Sequence, residues 1–142
     1  MGMVLAVGAA ACGEVPSTGW KLEWGPAWSV SGDIAKGKDV SGAATLGGGE
    51  AVVASDETRG AQRVVVDRVG RVLTVQEPLP LRPGKGPELD LEAVAAASDG
   101  SGYFLVGSQA LARKSGTFEA ERGYLFKLPV DGAGRPQSGA VA

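Results

Sequence analysis

Beyond Gly19 the chain reads as short strand-like runs of four to six positions, each cut by glycine, proline or a small polar residue. Trp20-Lys21-Leu22-Glu23-Trp24 sets apolar side chains on one side and charges on the other, the period of two that marks a half-buried strand. Gly25-Pro26 stops it, and Trp28-Ser29-Val30-Ser31 opens a second run that Gly32-Asp33 and Gly37 break. All three tryptophans fall in these nine residues. They fit one hydrophobic strand pair; a sugar-stacking face is the alternative. Glu50–Ala54, Gln62–Val66 and Arg71–Gln76 are dense in β-branched residues and predict sheet. Glu77–Pro87 carries four prolines, which suit neither a helix interior nor a central strand, so residues 77–87 are expected to form an extended surface link. Leu91–Ala97 could pass for a helical turn but is short for one. Tyr103–Val106 and Arg122–Leu128 predict two further strands, the last closing at Asp131-Gly132.

Two stretches share one order of parts. Asp39-Val40-Ser41-Gly42 leads through a glycine turn to Val52–Asp56, then a loop, then Arg63–Asp67. Asp90-Leu91-Glu92-Ala93 leads through another glycine turn to Phe104–Ser108, then a longer loop, then Tyr124–Leu128. Fifty-one residues separate Asp39 from Asp90. A period of roughly 40 to 50 residues holding several strands is what propeller blades give. The expected fold is all-β, with antiparallel sheets forming about two blades of an incomplete β-propeller. A small β-sandwich is the alternative. Residues 1–19 read as a signal-like segment and tether. Residues 20–142 read as the propeller-like domain, with repeats at about 39–76 and 90–131, and as the N-terminal part of a longer domain.

Composition narrows the chemistry. The 142 residues include 23 Gly and 8 Pro, about double the usual share, which favours turns between short strands over long helices. A net charge of −2 with no basic patch argues against nucleic acid. There is no His, so no His-based triad or proton shuttle, and one Cys cannot form an intrachain disulfide. What remains is carboxylate, hydroxyl, amide and Lys/Arg chemistry.

Carboxylates recur at predicted strand ends: Asp39, Asp56, Glu57, Asp90 and Glu92. Asp56, Glu57, Asp90 and Glu92 are the candidate metal ligands. Ca²⁺ is the cation for such oxygen donors if folding makes them converge. Acid and base roles in a hydrolase are a second use, and turn capping a third. Ser55 and Ser108 are poor nucleophile candidates without a His to activate them. Gly47-Gly48-Gly49 lacks the Gly-Lys-Ser/Thr ending of a phosphate loop and reads as a hairpin turn. Arg113-Lys114 reads as a solvated loop tip.

Asp39-Val40-Ser41-Gly42, Ala54-Ser55-Asp56-Glu57, Asp90-Leu91-Glu92-Ala93, Gly107-Ser108-Gln109 and Arg122-Gly123-Tyr124-Leu125-Phe126 occur in this order over residues 39–131. In order and spacing they resemble domain-of-unknown-function family thirty-six-sixteen, bacterial proteins expected to be β-propellers. Ala93 and Gln109 depart from that family's Gly and His. The family brings no established activity. Its more distant similarity to phytase-like and esterase-like propellers implies calcium or phosphoester chemistry.

Met1–Ala11 is uncharged, and Gly8-Ala9-Ala10-Ala11-Cys12 resembles a lipobox, with Cys12 the lipid-accepting residue. The positively charged n-region is missing, and a buried strand with Cys12 as a small hydrophobe is the alternative. The expectation is therefore a secreted or cell-envelope protein, lipid-anchored through Cys12, that binds a ligand or protein or serves as a scaffold. It pairs with other copies if the chain is complete. The alternatives are a Ca²⁺-dependent phosphoester or ester hydrolase and, without a signal, a cytoplasmic location.

Overall fold

The computed structural model describes residues 25–108, 116–118 and 120–139. The expectations for Cys12, Trp20–Trp24, Gln109 and Arg113-Lys114 lie outside these residues.

Eight strands occur among the described residues: β1 (Ser29–Ser31), β2 (Val40–Gly47), β3 (Glu50–Ser55), β4 (Gly60–Asp67), β5 (Val72–Pro80), β6 (Leu91–Ala96), β7 (Gly102–Gly107) and β8 (Leu125–Pro129). No α-helix is present among them; one 3-10 turn, Ala120–Gly123, leads into β8. The all-β expectation holds. β2 to β5 form an antiparallel meander, and β1 joins its far edge parallel to β5, giving the order β1-β5-β4-β3-β2. β6, β7 and β8 form a second antiparallel sheet.

Local chemistry makes these turns. Gly47, Gly48 and Gly49 all take positive φ (99°, 65° and 78°), which a side chain resists, so the triple glycine is the β2–β3 hairpin. At the β4–β5 turn, Asp67 Oδ1 accepts the N–H groups of Val69 and Gly70, both at 2.9 Å.

The expected link over 77–87 begins later than its prolines suggest, because β5 runs on through Pro80. Gln62 pairs with Pro78 and Gly60 with Pro80. The Leu81 N–H donates to the Arg59 carbonyl, so residues of its parity turn their amides toward β4 and the two prolines turn theirs away. β1 reaches only residues 72–74, so among the described residues that side of β5 is an edge there, and an edge tolerates proline. The small-residue run after Asp90 is strand β6, not a helical turn. Leu91 is fully buried and Val94 packs against the core, while Ala93 and Ala95 face out.

The sheets pack face to face. Val52, Ala54, Ala61, Leu79 and Leu81 meet Leu91, Tyr103, Leu105, Phe126 and Leu128, all 5% exposed or less. Each such large apolar side chain contributes about 1.5–3 kcal/mol on burial. The small residues come mostly from the first sheet and the large ones from the second. β2 and β6 touch where Gly42 lies: a Cβ there would stand 2.8 Å from the Val94 nitrogen. A polar bond crosses the core, from the Leu46 N–H to the Tyr103 hydroxyl oxygen at 3.2 Å. Burial pushes the Tyr103 phenol above its ordinary pKa, so it stays neutral.

Leu105→Ala should cost about 2–5 kcal/mol in chemical unfolding. Tyr103→Phe should cost roughly 1–3 kcal/mol, because it strips the Leu46 amide of its acceptor. Gly42→Val should lower Tm by wedging β2 from β6, as read by thermal circular dichroism.

Candidate functional site

Strand order brings to one end of both sheets residues 32–39, 56–59 and 81–90, together with Ser108 at the end of β7 and residues 120–124 before β8. The Leu89 N–H donates to the Thr58 carbonyl at 2.9 Å, which ties the two sheets' connections into one rim. Asp39, Asp56, Glu57 and Asp90 stand on this rim, with Glu92 one step inside it on β6.

The structure gives each of them separate work. The Asp39 carbonyl accepts the Asp56 N–H at 3.1 Å, and the Asp90 carbonyl accepts the Ser108 N–H at 2.8 Å. The two repeats thus open with the same backbone bond. Asp56 Oδ1 accepts the N–H of Glu57 at 2.7 Å. Glu57 Oε2 lies 2.6 Å from the Lys36 ammonium, and that hydrogen bond and charge raise the Lys36 pKa. Both side chains are about half exposed, so the pair adds little stability. Asp90 Oδ2 accepts both the Ser108 hydroxyl at 2.5 Å and Arg122 Nη1 at 2.7 Å.

Asp90 therefore clasps the end of β7 to the 3-10 turn before β8. Ser108 serves it as a donor. Glu92 is the extra residue of a β-bulge between the Leu91–Gly107 and Ala93–Val106 pairs, and it is exposed. Ser41 takes the same place in the first repeat, between Val40–Ser55 and Gly42–Ala54.

Among the described residues no three His, Cys, Asp or Glu side chains gather closely enough to hold a metal ion. The four candidate ligands are spread over two clasps and a bulge. Two of the rim's arginines are engaged as well. Arg59 donates to the Pro87 carbonyl, and Arg82 stands 4.9 Å over the Tyr124 ring. Ser55 is buried and donates to the Ala35 carbonyl at 2.9 Å, while Gln62 Oε1 accepts the Ala35 N–H at 2.6 Å. Those bonds hold residues 32–39 as they cross the outer face of the first sheet from β1 to β2.

The sequence reading passed over a different feature, an apolar face. Past the two bulges the repeats align by register. Gly42, Ala43 and Ala44 oppose Ala54, Val53 and Val52, as Ala93, Val94 and Ala95 oppose Val106, Leu105 and Phe104. Ala61 pairs with Ala54, and Leu125 with Val106. Yet burial is inverted between them. Val52, Ala54 and Ala61 are 0–2% exposed, while their counterparts Phe104 and Leu125 are 36% and 58% exposed. Each sheet thus uses the opposite face for the shared core. Among the described residues no strand covers the outer face of the second sheet, bearing Ala93, Ala95, Phe104, Val106 and Leu125, and Lys127 stands above the Phe104 ring at 5.8 Å. The signal was present in the sequence as Val52/Ala54 matching Phe104/Val106, but burial had to be seen to expose the inversion.

Beyond β8 the chain turns at Asp131. Its carboxylate accepts the N–H groups of Ala133 and Arg135 and the Arg135 guanidinium at 2.8 Å. The Arg135 amide foremost, with the Ala133 amide and the guanidinium, holds the Asp131 pKa below the ordinary carboxylate value. A depressed carboxylate favours the folded turn above the unfolded pKa of about 4 and loses that contribution as pH falls through the folded value. In an NMR titration Asp131 should therefore protonate below the usual Asp range, and Arg135→Ala should move its midpoint upward.

Comparison of the chain with family models, with curated proteins and with solved structures found no match.

Proposed function

We propose that the chain is a propeller-like binding or scaffold module of the bacterial cell envelope, akin to domain-of-unknown-function family thirty-six-sixteen. One observation carries the architectural part: equivalent strands in the two repeats bury opposite faces. Such stacking is head to tail, the relation by which successive blades of a propeller follow one another, and it leaves an apolar face at the end of the series. A sandwich whose equivalent faces met would bury the same register positions in both sheets. The shared Asp-led bulge and the shared backbone bond at Asp39 and Asp90 support the same reading.

Binding or scaffolding is favoured over hydrolysis by the state of the rim. Asp90 bonds Ser108 and Arg122, Glu57 bonds Lys36, Asp56 accepts the Glu57 amide, and the buried or half-buried hydroxyls of Ser55, Thr58 and Ser108 are donors to oxygen. A hydrolytic site needs groups held ready for a substrate. The envelope location rests on the segment Gly8–Cys12.

Two experiments test this. Millimolar CaCl₂ should leave Tm within about one degree, since a cation that does not bind the folded chain cannot stabilise it by mass action. A rise of several degrees that Asp90→Asn abolishes would favour the calcium hydrolase instead. In a bacterial host, Cys12→Ser should move the protein from the membrane fraction to the soluble one. An unchanged distribution would remove the lipid anchor from the proposal.

A further inference from the structure

The stacking inside the molecule defines a second surface as well as the first. On the first sheet, the outer face is half covered. Residues 32–39 cross it over Ser55, Gln62 and Val75, where a Cβ on Gly32 would stand 3.2 Å from the Val75 Cβ. Among the described residues no segment crosses the half near the β2–β3 hairpin. There Ala43, Thr45, Gly49, Ala51, Val66 and Arg68 line a shallow, mainly apolar depression of about 180 Å³.

We propose that this depression seats the outer face of the second sheet of another copy of the same chain, with Phe104 and Leu125 as its anchors. The inference rests on the head-to-tail reading given above. Its first support is that register. The residues equivalent to Phe104, Val106 and Leu125 in the first repeat are Val52, Ala54 and Ala61, which already bury against a sheet of this type. The face they meet carries Tyr103 and Leu105, whose counterparts in the first sheet are Ala51 and Val53. Contact between copies would thus repeat, with the same faces, the contact within one copy.

Size complementarity is the second support. Inside the molecule, the small side chains of the first sheet receive the large ones of the second. Between copies the large residues are Phe104 and Leu125, and the small ones are Ala43, Thr45 and Ala51. A projecting aromatic ring set into a small-residue depression is the usual anchor of a protein interface. Such a contact is heterologous, so each copy offers one face and accepts the other, and the series either closes into a ring or continues.

The test uses the full chain and three variants on exposed or half-exposed positions: Phe104→Asp, Leu125→Asp and Ala51→Arg. By sedimentation equilibrium, the wild-type mass should climb above the 14.3 kDa of one chain as concentration rises. Each variant alone should stay monomeric, with wild-type β circular dichroism. Mixing Phe104→Asp with Ala51→Arg should restore a dimer that grows no further, because each supplies the face the other lacks. A wild-type chain that stays monomeric throughout overturns the proposal. So does an Ala51→Arg variant that still dimerises by itself, which would mean that two second-sheet faces meet. Gly42→Val separates this from failure of the underlying reading. If that variant melts like the wild type, the two-sheet stacking is wrong. If it melts low while the wild type is monomeric, the contact between copies alone is wrong.

Discussion

Neither sheet can cover its own apolar face, and that shortage organises the rest of the structure. A small sheet with one greasy side gains stability only by laying it against another. Here the sheets approach closely at Gly42, where the absence of a Cβ lets β2 settle against the backbone of β6. With those strands in touch, Val52, Ala54 and Ala61 lie over Tyr103, Leu105 and Phe126, and water is excluded from both surfaces. The Leu46 N–H gives the buried Tyr103 hydroxyl oxygen a partner.

The connections follow from the same requirement. The segment after β5 looks built for solvent, being full of proline and glycine, yet its two ends are pinned. Leu81 and Leu89 are buried in the core, and their amides bond the Arg59 and Thr58 carbonyls. The chain can therefore cross from one sheet to the next without a helix or a third layer. Polar groups along the rim act as fasteners. Gln62 and Ser55 hold the crossing loop to the first sheet, and Asp90 with Ser108 and Arg122 closes the second.

The element pattern was largely legible in the sequence. β-Branched density located β3, β4 and β5, short apolar runs located β7 and β8, the glycine triplet located its hairpin, and the paired Asp-led segments revealed the repeat; the matching bulges at Ser41 and Glu92 came with the structure. Proline misled at Pro78 and Pro80, because a local rule about missing donors cannot say which edge of a strand is already free. Composition misled mildly at Leu91–Ala96, where alanines that suit a helix serve a strand packed closely on another. The carboxylates were legible as a set but not as a site. Whether Asp56, Glu57, Asp90 and Glu92 converge depends on where Lys36 and Arg122 fall, and those partners come from distant parts of the chain.

By itself the sequence determined the all-β class, the fifty-one-residue repeat and the turn chemistry, since these depend on neighbours within a few residues. Only the tertiary structure decided which face of each sheet is inside. Alternation names two faces and makes both apolar here: Val52 and Ala54 on one side, Val53 and Val64 on the other. The choice rests on the close approach at Gly42 and the loop crossing the first sheet, contacts between residues far apart in the chain. That choice buries Val52 and leaves Phe104, its counterpart in the second repeat, facing outward.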